Sequence, residues 1–159
     1  MSSLIRVTID DSAIPPASAE VIQDRKVAIY DLIEENSFDL PGRDGQPVPP
    51  GPYGLQLAIR DGRLVFDIST EDGGKVGEFH LSLGPFRQVV KDYFQICASY
   101  YDAVKTMPPA QIEAIDMARR GIHNEGARTL QERLEGKAVV DIDTSRRLFT
   151  LICALIPQG

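Results

Sequence analysis

The chain has 159 residues, of which 43% are hydrophobic and 25% are charged, and this usage is typical of a folded globular protein rather than a fibrous or disordered one. With 23 acidic against 17 basic side chains, the net charge is -6. The overall field of such an acidic protein disfavours nucleic acid and anionic membranes as partners. The longest apolar run, at 148–156, is shorter than the roughly 20 residues that span a bilayer. The N-terminus has no signal-peptide pattern, so we expect a cytoplasmic protein.

The N-terminal residues first alternate and then repeat at helical spacing. Alternation at 4–10 predicts a half-buried strand, either at a sheet edge or early in the fold, with one face formed by Ile5, Val7 and Ile9. Ser18 is suited to cap a following helix, because its hydroxyl accepts a hydrogen bond from a first-turn amide. An apolar stripe then predicts that helix, and it comprises Val21, Ile22, Ile29, Leu32 and Ile33.

A stretch rich in proline and glycine interrupts these patterns at 37–52. It contains five prolines and three glycines, a composition that sustains neither a helix nor a strand ladder. We interpret it as a surface loop rather than a domain boundary, because the residues before it hold only one strand and one helix, too little to bury a core. The sequence therefore predicts a single globular domain over 1–159.

The clearest local signal is a β-hairpin around Asp61 and Gly62. Both residue types tolerate the positive φ of a two-residue turn, and alternating runs flank them on either side. A third alternating run follows, and it places His80 on the solvent face. One face of the resulting sheet is apolar, with Leu55, Leu57, Ile59, Leu64, Phe66, Ile68, Phe79, Leu81 and Leu83.

Helical spacing dominates the rest of the chain. Pro85 suits a first helical turn, where its missing amide hydrogen is not needed. Gly136 is suited to end a second helical segment, and Asp143 or Thr144 to cap a last helix. We predict an α+β fold in which an antiparallel sheet of about four strands is covered on one face by helices, with a C-terminal half that is all helical.

The sequence carries no motif that specifies a reaction. Cys97 and Cys153 lack the spacing of metal ligands, so we interpret them as buried thiols and expect neither a metal nor a cofactor. The glycines of DGGKV at 72–76 lack the upstream glycine and the hydroxyl of a phosphate-binding loop and predict a turn. No nucleophile, base and acid are spaced in a recognisable catalytic pattern.

The stretch DMARRGIHNEG at 116–126 is the strongest candidate for a site, and its polar side chains are Asp116, Arg119, Arg120, His123, Asn124 and Glu125. In one uninterrupted helix, several of them would point towards the core, where a polar group needs a partner. We favour a break, in which Gly121 ends one helix and Asn124 caps the next. The alternative is a continuous helix in which Asp116, Arg119 and His123 pair with one another, or with Tyr100, Tyr101 or Glu125.

Two roles follow for this cluster. A helix start beside Arg119 and Arg120 would bind a small anion such as a carboxylate or phosphate. His123 oriented by Glu125 would support general acid/base chemistry near neutral pH. We favour instead the simpler interpretation that the same side chains hold helices together.

Five segments carry a resemblance to a known family: VAIYDLIEENSF, GRLVFDI, LGPFRQVVKDYFQICASYYDAV, QIEAIDMARRGIHNEGARTLQERLEGK and DTSRRLFTLICAL. Together they resemble Uncharacterised Protein Family 0262 of the alphaproteobacteria over nearly the whole chain. The resemblance implies no catalytic residues. It does imply relatives encoded beside histidinol dehydrogenase and a small phosphatase, which fits a housekeeping accessory role without establishing any chemistry.

We therefore expect a bacterial protein-binding or regulatory accessory module, whose partner is another protein or a second copy of the chain. The competing hypothesis is a small enzyme or anion-binding protein that uses the cluster at 116–125. An arrangement of these side chains around a concave pocket would favour the enzyme, whereas mutual pairing would count against it.

Overall fold

The computed structural model describes residues 2–42 and 45–157. Its four helices are α1 (Ala19–Glu34), α2 (Gly84–Thr106), α3 (Pro109–Arg133) and α4 (Ile142–Leu155). Its strands are β1 (Leu4–Asp10), β2 (Phe38–Asp39), β3 (Tyr53–Arg60), β4 (Arg63–Thr70), β5 (Lys75–Ser82) and β6 (Val139–Val140). The α+β class predicted from the sequence is confirmed.

The main sheet has four strands in the order β1-β3-β4-β5. The predicted hairpin joins β3 to β4 through Asp61 and Gly62, which adopt φ values of 53° and 71°. Two consecutive positive φ values match the twist of the flanking strands, and this explains why an Asp-Gly pair occupies the turn. The predicted apolar face forms across three strands, because Leu57 lies opposite Phe66 and Phe66 opposite Phe79.

The prediction of a purely antiparallel sheet is wrong. β1 runs parallel to β3, and the connection between them carries α1 and the proline-rich segment. Parallel strands need a crossover of this kind, since a tight turn joins only antiparallel neighbours. β1 lies at the sheet edge as predicted, but a register shift between Leu4 and Arg6 turns Ile5 outwards, leaving it 39% exposed while Leu4 and Val7 are buried.

A second, two-stranded sheet pairs β2 with β6 in antiparallel fashion. It therefore places a strand in the segment at 37–52, of which Arg43 and Asp44 lie outside the described residues, and it buries Phe38 fully. The prediction that the C-terminal half is all helical is wrong, because β6 lies there. Two residues are too few to give a recognisable alternating pattern.

The core lies between the apolar face of the main sheet and the helices. Phe66, Phe86 and Phe149 bring side chains into it from β4, α2 and α4, and all three are fully buried. The opposite sheet face is more polar, as His80 illustrates: its Nε2 atom lies 2.9 Å from Oε2 of Glu78 on the exposed side of β5.

The capping residues were predicted with mixed success. Ser18 caps α1 by accepting a hydrogen bond from the amide of Val21, as predicted. Asp141, and not Asp143 or Thr144, caps α4, since its carboxylate accepts a 2.8 Å hydrogen bond from the amide of Thr144.

The predicted break at Gly121 is wrong, because α3 continues from Pro109 to Arg133 without interruption. A glycine within a helix costs about 1 kcal/mol relative to alanine, and a helix of this length, packed on α2 and α4, tolerates that cost. Asn124 therefore lies inside α3 and does not cap a helix, so its side chain is able to hydrogen bond to a different helix.

Candidate functional site

The candidate cluster lies where α3 meets α4 and α2. Gly126 and Ala127 on α3 are buried at this junction, and the Oγ atom of Ser145 donates a 2.6 Å hydrogen bond to the backbone carbonyl of Ala127. Phe149, one turn further along α4, packs on Gly126. Small residues on α3 therefore bring the two helices close, and the polar side chains on either side come within reach of α4.

Asp116 forms the first part of the cluster. Its Oδ1 atom accepts a 3.1 Å hydrogen bond from Nε of Arg119, and its Oδ2 atom lies 3.3 Å from Nε of Arg120. The guanidinium of Arg119 also lies 5.0 Å from the ring centroid of Tyr100 on α2, a cation–π distance. The hydrogen bonding that Arg119 donates to Asp116 lowers the pKa of the Asp116 carboxyl group and raises the pKa of the Arg119 guanidinium. Both arginines are thus held by one carboxylate.

His123 forms the second part and reaches α4. Its Nε2 atom lies 2.8 Å from Oγ1 of Thr150, and its ring lies against Tyr93 and Phe149 at centroid distances of 5.2 and 5.3 Å. Burial among these rings lowers the pKa of His123, and the positive charges of Arg146 and Arg119 add to the effect. The buried environment therefore favours the neutral form of the His123 imidazole.

Asn124 and Glu125 differ in their surroundings. Oδ1 of Asn124 accepts a 2.8 Å hydrogen bond from Nε of Arg146, whose Nη1 atom lies 2.9 Å from Oδ1 of Asp143. Glu125 is exposed and forms neither a hydrogen bond nor an ion pair with the described part of the chain. Asn124 is therefore joined to α4, whereas the carboxylate of Glu125, which was predicted to orient His123, is not bonded to it.

In a comparison with protein families, the model of the Uncharacterised protein family (UPF0262) matches residues 1–158. The chain belongs to the UPF0262 family. The resemblance noted in the sequence is thereby confirmed.

Similar UPF0262 proteins come from alphaproteobacteria. One from Paracoccus denitrificans is 79% identical over 154 residues, which are 97% of this chain and 95% of the relative. UPF0262 proteins from Dinoroseobacter shibae and Roseobacter denitrificans are 72% and 70% identical over 155 residues, or 98% of this chain and 98% of each relative. No solved structure matches this UPF0262 chain.

The sequence did not indicate that Tyr93 belongs to the same cluster in this UPF0262 protein. Tyr93 lies against both His123 and Phe149, and its burial raises its pKa to about 12. Burial also raises the pKa of the Cys97 and Cys153 thiols. Cys153 is buried as predicted, whereas Cys97 is only partly buried. Tyr93 and Cys97 are four residues apart on α2, but only the tertiary structure brings α4 against them.

Apart from Glu125, the side chains of the candidate cluster in this UPF0262 protein are paired, and they join α3 to α2 and α4. Two surface cavities, of about 520 and 200 Å³, lie elsewhere: beside Gln131 and Val140, and beside Leu40 and Phe79. Among the described residues, no group of histidine, cysteine or carboxylate side chains is arranged to hold a metal ion. In that same part of the chain, no helix combines the length and apolar character needed to cross a membrane.

Proposed function

We propose that this UPF0262 chain is a protein-binding module whose binding surface lies on α1. The observation that carries the proposal is a group of large apolar side chains left in contact with solvent. We define the α1 face by these four residues, with their exposed fractions: Ile22 (43%), Val27 (49%), Tyr30 (66%) and Ile33 (38%).

The α1 face lies on one side of the helix, in an arc that it shares with the polar residues Gln23, Lys26 and Glu34. At about 100° per residue, its four side chains fall within an arc of about 140° on one side of the helix. Ala28 and Leu32, on the other side, are buried against the core. Scattered apolar residues are ordinary on a protein surface, but several large apolar side chains exposed on one side of one helix are typical of a surface that another protein covers.

The cluster on α3 supports a structural role in preference to anion binding or catalysis. Arg119 and Arg120 share the carboxylate of Asp116, so an incoming anion would have to compete with that carboxylate. Glu125 forms no contact that would orient His123, and the Nε2 atom of the His123 imidazole is already hydrogen bonded to Thr150. These contacts favour the protein-binding module over the small enzyme.

The test is chemical crosslinking in concentrated lysate of the source bacterium, followed by affinity capture with four baits: the wild-type chain, Val27→Glu, Tyr30→Glu and Tyr101→Glu. Tyr101 on α2 is 69% exposed, so it matches Tyr30 in residue type and exposure. We expect one or more proteins to bind the wild type and Tyr101→Glu but not the two α1 variants. Equal capture by all four baits, or capture by none, would contradict the proposal.

A further inference from the structure

We propose that the partner on the α1 face is a second copy of this chain, whose α1 lies antiparallel to the first and crosses it at Tyr30. This inference rests on the proposed function, because it uses the same surface. It adds the identity of the partner, the direction of the two helices and the residue at the two-fold axis.

The apolar residues of the α1 face are arranged symmetrically along the helix about Tyr30. Val27 precedes Tyr30 by three residues and Ile33 follows it by three, so the two lie at equal distances on either side. In an antiparallel pair that crosses at Tyr30, the two tyrosines meet, and Val27 of each chain lies level with Ile33 of the other. A two-fold interface requires this kind of self-complementary surface.

The charges on the same helix follow the same symmetry but with opposite signs. Lys26 and Glu34 each lie four residues from Tyr30, within about 40° of it around the helix. Neither forms an ion pair with any described residue. They lie about 12 Å apart along their own helix, at about 1.5 Å per residue, too far to pair directly.

Charge complementarity therefore selects the direction of pairing. In the antiparallel arrangement, Lys26 of each chain lies level with Glu34 of the other, and two equivalent ion pairs form. A parallel arrangement would place Lys26 level with Lys26 and Glu34 with Glu34, which like charges disfavour. Asp31, the nearest other acidic residue, projects about 100° away from Tyr30 and lies outside the contact.

The contact between the two helices is small, and the affinity of the dimer is expected to be low for that reason. One 16-residue helix against its copy buries less than the roughly 1,200 Å² of a stable complex, so the dimer is expected to be weak and reversible. It should therefore form at high protein concentration and dissociate on dilution.

The first experiment is sedimentation velocity of the purified full chain from low micromolar to near-millimolar concentration. We expect a concentration-dependent dimer for the wild type, weakened at least about tenfold by Lys26→Glu or by Glu34→Lys. The double variant Lys26→Glu/Glu34→Lys should regain the dimer, because it exchanges the signs and restores both ion pairs. Lys91→Glu, at an exposed lysine of α2, should match the wild type.

The second experiment uses oxidative crosslinking to locate the axis. A cysteine at position 30 faces its own copy, so Tyr30→Cys should form a disulfide-linked dimer much faster than Tyr101→Cys or the wild-type chain. A wild-type chain that is monomeric at every concentration, or equal crosslinking at 30 and 101, would overturn the self-association. The proposed function is decided separately, by whether the lysate proteins depend on the α1 face.

Discussion

The ring of Phe149 lies directly over Gly126, so that a β-carbon on residue 126 would overlap three of the ring carbons. Both residues are fully or nearly fully buried where α4 crosses α3. Glycine at this point permits a close approach of the two helices, and that approach brings His123 and Asn124 within hydrogen-bonding distance of α4.

Gly126→Ala should therefore destabilise the protein. The added methyl group has no space unless Phe149 or α4 moves, and overpacking of this kind costs about 1–3 kcal/mol, only partly offset by the roughly 1 kcal/mol by which alanine is favoured over glycine inside a helix. The corresponding fall in melting temperature is about 2–4 °C for each kcal/mol in a domain of this size. Calorimetry or thermal unfolding followed by circular dichroism measures the effect.

The matched control is Gly121→Ala, five residues earlier on the same helix. A β-carbon at residue 121 meets no atom within 4 Å, and alanine is about 1 kcal/mol more favourable than glycine inside a helix. Gly121→Ala should therefore raise the melting temperature. A fall would indicate that α3 is not continuous through this residue.

The hydrogen bond between Asn124 and Arg146 should couple α3 to α4 energetically. A double-mutant cycle with Asn124→Ala, Arg146→Ala and the double variant should yield a coupling of about 1 kcal/mol in chemical denaturation. The control cycle uses Glu125→Ala in place of Asn124→Ala. Glu125 is exposed, and the hydrogen bond of Arg146 goes to Asn124 and not to Glu125. Similar coupling in both cycles would count against a specific tie.

His123 should make the stability of the protein depend on pH. Its pKa is lowered from the ordinary value of 6.5 by burial, so the unfolded chain binds a proton more readily than the folded chain as the pH falls through this value. Its stabilising contribution is present above pH 6.5 and is lost progressively below that pH. Denaturant midpoints measured between pH 5 and 8 should show this loss for the wild type.

The variant His123→Gln removes the titrating group and keeps a side chain that is able to hydrogen bond to Thr150. Its stability should change less between pH 8 and pH 5 than that of the wild type. If the two profiles are parallel over this interval, the burial of a neutral His123 does not contribute to folding.

The cap of α4 provides a test at acidic pH. Hydrogen bonding to Thr144 lowers the pKa of Asp141 below its ordinary value of 3.8, so the carboxylate stabilises the fold above that pH and loses its effect as the pH falls further. Asp141→Ala should cost about 1 kcal/mol at neutral pH. Asp141→Asn retains the oxygen that accepts the hydrogen bond and should recover most of that loss, and Asp143→Ala should have a smaller effect.

Local patterns predicted those elements whose determinants are close in sequence. The hairpin at Asp61 and Gly62 depends on two adjacent residues and the alternation beside them, and Ser18 reaches an amide only three residues away. The direction of β1 is different, because alternation specifies a strand but not its neighbour. Its partner β3 begins more than 40 residues later.

The candidate site was predicted as a set of residues but not as an arrangement. Gly121 and Asn124 together favour a helix boundary, and the contacts that override that preference come from α4, with Arg146 binding Asn124 and Thr150 binding His123. Asp116 and Arg119, only three residues apart, pair as the continuous-helix alternative predicted. The local sequence therefore did not predict which residues of α4 bind Asn124 and His123.

The parallel pairing of β1 with β3 also constrains the order in which the chain folds. During synthesis, β1 and α1 emerge before any strand that is able to pair with β1, because residues 53–58 supply that partner. The hairpin of β3 and β4 closes over a two-residue turn and needs no distant segment. Since pairing between distant segments carries the larger loop-closure entropy, the sheet is expected to grow outwards from its central hairpin, and the N-terminal strand to be added afterwards.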